Sequence, residues 1–189
     1  QVWLVYTGRL YTEARSPEPF LQALSLLVQE NPALSERLRV FFIGEIDESV
    51  KKVIERTFAR KIISVVSWVS VQASISWMKT ADYLLLFGNK GGIQIPGKVY
   101  QYLGSGRPIF LIKGGEEDPA VKISRYNRHT IIVNNEPEEI LAQIKDILAQ
   151  YKRPPSLSQE EIEKLPFTWC NIAGELSRIM DSLKNKRQR

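Results

Sequence analysis

Six short apolar runs separated by amphipathic stretches constrain this chain more than any other feature. The runs are Val2 to Thr7, Leu38 to Ile43, Ile62 to Val66, Asp82 to Phe87, Pro108 to Ile112 and Thr130 to Val133. Each has the four to six residues of a strand, and Asp82-Tyr83-Leu84-Leu85-Leu86-Phe87 is nearly continuous in apolar character, as a strand buried on both faces requires. Between the runs lie helical patterns. Ser16 to Glu30 carries Phe20, Ala23, Leu24, Leu27 and Val28 on one face, with Ser16 as N-cap and Pro17 as first residue. Asp47 caps a helix to about Phe58, Val71 to Thr80 forms a third, and Glu136 to Tyr151 aligns Ile140, Ile144, Leu148 and Tyr151. Strict strand and helix alternation predicts an α/β domain: a three-layer, Rossmann-like, doubly wound parallel sheet of about six strands, followed by a C-terminal helix. Ligands of such sheets bind beyond the carboxyl ends of the strands, where the winding reverses.

The fourth and fifth runs bracket the most informative segment, Ile95-Pro96-Gly97-Lys98-Val99-Tyr100-Gln101-Tyr102-Leu103-Gly104-Ser105-Gly106-Arg107-Pro108. The loop Gly88-Asn89-Lys90-Gly91-Gly92 lets backbone come close to a ligand, and Pro96 suits a first helical turn. The helix then ends at Gly104 and Gly106. Free amides at its start, together with the dipole, favour a phosphate. Lys98 sits in that first turn, where a cation opposes the dipole and is ordinarily compensated by an anion. The turn Gly8-Arg9 follows the first strand, and Arg15 stands just before the next helix. A guanidinium offers a planar fork to phosphate oxygens and never titrates, although either arginine equally fits a surface ion pair with Glu13 or Glu18. Ser67-Trp68-Val69-Ser70 closes the third strand, and Trp68 either stacks on a base or seals the core edge.

These motifs resemble, in order and spacing, the C-terminal domain of GT-B glycosyltransferases, most closely glycosyltransferase family 4. The matching positions are Tyr6-Thr7-Gly8-Arg9-Leu10, Pro96, Lys98, Gln101, Tyr102, Ser105-Gly106-Arg107-Pro108 and Phe167-Thr168-Trp169. The resemblance covers nearly the whole chain. It implies a donor-binding domain of a retaining enzyme that transfers a sugar from a nucleoside-diphosphate sugar to an acceptor. Gly8, Arg9, Arg15, Ser67, Trp68, Gly91, Gly92, Ile93, Lys98 and Gln101 would contact the donor, and no catalytic residue would lie in this fragment. No cofactor is implied, since the nucleotide sugar is a substrate, and no metal. The family's two glutamates fall on Ile93 and Gln101. Glutamine still hydrogen-bonds a ribose diol but lacks the charge that makes such bonds about twice as strong; Ile93 leaves sugar recognition to the backbone of Gly91, Gly92 and Ile93. These departures keep open an alternative, a non-catalytic nucleotide-binding or protein-interaction module of the same fold. A nucleotide-sugar 2-epimerase is a weaker third reading, because its carboxylates and histidine are not visible.

Composition narrows the remaining classes. The 189 residues are 43% hydrophobic, enough for a real core, and 26 Lys and Arg against 21 Asp and Glu give a net charge of +5. Part of that excess is the tail Lys184 to Arg189, so no nucleic-acid partner is required, while peripheral contact with an anionic membrane would suit it. The lone Cys170 cannot form an internal disulfide and fits a reducing, cytoplasmic setting, with room for the inner face of a membrane. No run of about 18 apolar residues and no leader pattern is present. His129, the sole histidine, has no metal-ligand spacing and is expected to be structural; neither a nucleophile elbow nor a dinucleotide-binding G-x-G-x-x-G is present. Residues 1–152 are read as the donor domain, 153–168, rich in proline and serine, as a linker, and 169–189 as a crossover helix with a basic tail. A start at Gln1, one residue before a strand, is read as an excised piece whose partner is an N-terminal acceptor-binding domain of the same polypeptide.

Overall fold

The computed structural model describes residues 1–10, 15–91, 94–150 and 152–187, the last four through their backbone. The chain divides into two units, Gln1–Ser156 and Leu157–Arg189.

The first unit alternates strand and helix as the apolar runs predict. Its elements are β1 (Val2–Thr7), α1 (Glu18–Glu30), α2 (Pro32–Ser35), β2 (Leu38–Ile43), α3 (Glu48–Arg56), a 3-10 turn (Phe58–Ile62), β3 (Ile63–Val66), α4 (Val71–Thr80), β4 (Tyr83–Phe87), α5 (Lys98–Ser105), β5 (Ile109–Ile112), α6 (Pro119–Ser124), β6 (Ile131–Val133) and α7 (Pro137–Ala149). All six strands pair in parallel, in the order β3-β2-β1-β4-β5-β6. This is the Rossmann-like, doubly wound arrangement. Helices α1 and α7 pack together with the 3-10 turn on one face, and α4, α5 and α6 follow one another on the other.

Side-chain alternation along the strands builds two unequal cores. Tyr6, Phe42 and Phe87 point to the α1 face and meet Phe20, with Tyr6 to Phe87 ring centroids 5.6 Å apart and Phe20 set edge-on to Phe87 at 5.8 Å. Each fully buried side chain of this size contributes about 1.5–3 kcal/mol through desolvation. On the opposite face Trp3, Phe41 and Trp77 form a half-buried aromatic stack beneath α4, with neighbouring centroids 5.0 Å apart. β4 and β5 carry almost wholly buried side chains, whereas the edge strand β3 is largely half-exposed.

Several element ends differ from expectation. Helix α1 begins at Glu18 with Pro17 at its cap, and Ser16 only accepts a long bond from the Glu18 amide. Asp47 precedes α3 without capping it through its side chain, because that carboxylate turns toward Arg9. Pro96 lies just outside α5, which starts at Lys98 behind Gly97. Tyr151 lies outside the described residues.

In the second unit, α8 (Gln159–Glu163) forms inside the segment read as a tether. A reciprocal capping box between Ser158 and Glu161 starts it. α9 (Trp169–Arg187) begins behind Thr168, whose hydroxyl accepts from the Asn171 amide. Along it Trp169, Ile172, Leu176, Ile179, Met180 and Leu183 are exposed. No helix among the described residues is long and apolar enough to cross a membrane.

Candidate functional site

β1 and β4 are neighbours in the sheet, yet the chain leaves them toward opposite faces, β1 to α1 and β4 to α5. The reversal opens a crevice above their carboxyl ends, where parallel α/β sheets hold ligands. Gly8 makes the exit from β1 at φ +102°, a conformation that side chains resist. Its amide donates to the Ile43 carbonyl at 2.7 Å, and the Leu10 amide donates to that of Glu45, so the turn is fastened to the end of β2.

The first turn of α5 comes to the same point. Lys98 Nζ donates to the Thr7 carbonyl, occupies the space that a Cβ on Gly8 would fill, and stands 4.5 Å from the centroid of the Tyr6 ring. Burial, then repulsion from Arg15, lowers the Lys98 pKa from 10.5 to about 8. One turn along the helix, the hydroxyl of fully buried Tyr102 accepts from the Thr7 amide at 3.0 Å, and burial raises the pKa of its phenol. No side chain caps the amides at the start of α5.

Arg15 ties the two loops together from the other side. Its Nε donates to Asn89 Oδ1 at 2.6 Å, and Asn89, itself buried, donates through Nδ2 to the Gln94 carbonyl at 2.8 Å. Gly88 and Gly114 bring the loops after β4 and β5 into backbone contact: a Cβ on Gly88 would strike the Asp118 carboxylate, and one on Gly114 the Asn89 backbone. Asp118 in turn accepts from the Gly114 amide and caps α6 through the Ala120 amide.

The sequence-derived residues thus fall into groups. Gly8, Arg15 and Lys98 converge at the crevice. Arg9 is displaced from it: its guanidinium lies 3.8 Å from Glu45 and 4.0 Å from Asp47, largely in solvent. Trp68 and Gln101 meet elsewhere, lining a cleft of about 570 Å³ between α4 and α5 whose other walls include Val69, Val71, Ile75 and Met78. Trp68 is 83% exposed there, so it does not seal the core edge. Lys98 and Gln101 are three residues apart on α5, neighbours on the helix surface. Ser67 is exposed after β3, and Gly91 stands open in the loop at φ +85°. Gly92, Ile93 and Glu13 lie outside the described residues. Asn89 is the contributor that the sequence reading passed over; its signal was a small polar residue placed just past a strand in a glycine-rich loop.

Chemically, the crevice offers amide hydrogens and cations. Among the described residues no cluster of three or more His, Cys, Asp or Glu is arranged to hold a metal.

A six-stranded parallel sheet with this order and this crevice defines the chain as a Rossmann-like α/β fold. No family model and no curated protein matches it. Solved structures share this fold, among them glycosyltransferases and a putative UDP-N-acetylglucosamine 2-epimerase from Listeria monocytogenes. The C-terminal domain of a glycosyl transferase group 1 family protein (LpcC) from Francisella tularensis matches 86% of this chain over 83% of its own, at 14% identity and TM-score 0.59. Anabaena Alr3699/HepE, solved with UDP-glucose, matches 96% of the chain over 49% of its own, at 11% identity and TM-score 0.67. Staphylococcus aureus TarM, solved with UDP among its ligands, matches 90% over 33%, at 13% identity and TM-score 0.59. At such identities the likeness is one of fold. The chain spans a third to a half of the two larger proteins.

Proposed function

We propose that this chain is the donor-binding domain of a retaining glycosyltransferase resembling family 4, which takes a nucleoside-diphosphate sugar such as a UDP- or GDP-sugar. The observation that carries the reading is the joining of two loops at the β1/β4 reversal, Lys98 to Thr7 and Arg15 to Asn89. That arrangement brings two cations and the uncapped amides at the start of α5 to the ends of β1 and β4, the groups that binding a diphosphate would call on. Stabilising charge on the departing nucleoside diphosphate is then the domain's part in catalysis. Gln101 would hold the ribose and Trp68 would stack on the base, one helical turn and one loop away from the phosphates. Proteins solved with UDP or UDP-glucose share the fold and support the ligand class. The acceptor would bind a further domain of the same polypeptide, so this domain alone binds nucleotide without transferring sugar.

Calorimetric titration with UDP and with GDP tests the reading. Arg15→Ala is expected to weaken binding by the ~1.5–3 kcal/mol of a hydrogen bond to a charged group. Equal affinity in the variant refutes the assignment. One specific observation favours the second reading, a non-catalytic nucleotide-binding or protein-interaction module: Gln101, the α5 residue that would meet the ribose, is uncharged.

A further inference from the structure

Lys98 occupies an unusual position for a cation. It is the first residue of α5, where the dipole opposes positive charge. Its partner is the neutral carbonyl of Thr7, its ammonium fills the space left by the absent Gly8 side chain, and the Tyr6 ring lies 4.5 Å away. Resting on the donor-site reading, we infer that Lys98 is a displaceable latch: its ammonium fastens α5 to the Thr7 carbonyl in the ligand-free domain, and an incoming nucleoside diphosphate takes that ammonium over, so that Lys98 adds to the grip of Arg15 and the α5 amides only while it is charged.

Burial is the main influence disfavouring the ammonium and repulsion from Arg15 the next, and a bound diphosphate would outweigh both with a charged partner. An anion at the head of α5 answers the dipole, offsets the repulsion from Arg15 and replaces a neutral acceptor by a charged one. The groups facing Lys98 are Tyr6 from β1, Arg15 from the segment after it, and Tyr102 from α5, which bonds the same residue, Thr7. Arginines stay charged at every pH of interest, and Tyr102 titrates above its ordinary range. Lys98, lowered to about 8, is therefore the group that changes charge in mildly alkaline solution. Below that value it is already protonated and the ligand binds without proton uptake. Above it each binding event draws in a proton, so affinity falls as pH rises, approaching tenfold per unit when only the charged form binds.

UDP is the probe, because its terminal phosphate is fully ionised above about pH 7 and does not titrate in the window. Titration calorimetry at about pH 7 and pH 9 is expected to show binding weaker by up to about tenfold at the higher value. Repeating it in buffers of different ionisation enthalpy should reveal proton uptake at about pH 9. Lys98→Arg keeps its charge throughout and should bind UDP with a pH-independent affinity; Lys98→Met should bind more weakly and equally at both values. A wild-type affinity that is the same at both pH values overturns the latch while leaving the donor site standing, as does a pH dependence that survives in Lys98→Arg. UDP that fails to bind at either pH removes the donor-site reading and the latch with it.

Discussion

The two edges of the sheet treat positive charge in opposite ways. At the edge where the strands begin, Asp82 is buried beside Arg107, each 7% exposed, with the Arg107 guanidinium 3.9 Å from the carboxylate and donating to the Asp82 carbonyl at 3.1 Å. Asp82 also accepts from the Trp3 amide and attracts Arg153 at 3.6 Å, while Arg107 reaches Ser156 at 2.7 Å. A carboxylate compensates the cations, and the cluster staples the stretch after α7 to the sheet. At the edge where the strands end, Lys98 meets a carbonyl, an aromatic ring and the field of an arginine. Compensated charge serves stability. A cation held on a neutral oxygen at a helix start costs stability, and such sites are where folds keep charge for a ligand.

The largest expected effect breaks the lower cluster. Asp82→Ala leaves the Arg107 charge buried without its carboxylate and should cost about 3–5 kcal/mol, measured by urea denaturation. UDP affinity of the folded fraction should stay as it was. A loss under about 1 kcal/mol would show that Ser156 and the Asp82 carbonyl hold Arg107 unaided, and the contrast between the edges would collapse.

Gly8→Ala comes next, at the upper edge. The φ of +102° alone costs about 1–3 kcal/mol, and the added methyl evicts the Lys98 ammonium. Both unfolding free energy and UDP affinity should fall. Gly91→Ala is the control: its φ of +85° imposes a similar backbone cost, but no atom lies within 4 Å of the new methyl. Its loss of stability should be the smaller of the two. Equal losses would mean that the Lys98 latch contributes nothing to the turn.

Much of the fold was legible because a parallel strand buried on both faces leaves few alternatives. The starts and ends of all six strands agree with the apolar runs to within a residue, and α4 agrees at both ends because Ser70 caps it. Short helices were not legible: α2, α6 and α8 have four to six residues, too few for a period to register. Asp47 and Ser16 failed as side-chain caps for different reasons, the first because Arg9 draws its carboxylate away, the second because the helix starts later. For the site, residue types could be read but partners could not. Lys98 and Thr7 are 91 positions apart, Arg15 and Asn89 are 74 apart, and nothing local announces either bond.

Gln101 sharpens the comparison at smaller scale. Replacing it by glutamate restores a charged acceptor in the α4/α5 cleft, and under the donor-site reading UDP should bind tighter by about 1 kcal/mol, the difference between a neutral and a charged hydrogen bond. An unchanged affinity would favour the non-catalytic module.

The smallest effect is expected at Arg9. Its guanidinium faces Glu45 and Asp47 with its side chain 62% exposed, and exposed pairs contribute about 0–1 kcal/mol each. Any diphosphate that recruited Arg9 would first have to draw it from two carboxylates, so the gain on binding is reduced by the pairs given up. Arg9→Ala should therefore weaken UDP binding by less than Arg15→Ala does, and the gap should narrow in high salt, which screens the Arg9 pairs first. A loss equal to that of Arg15→Ala would mean that the guanidinium swings from the β2 loop into the crevice when ligand arrives. The upper edge would then hold a third cation in reserve, and the carboxylates at Glu45 and Asp47 would be parking sites rather than structural partners.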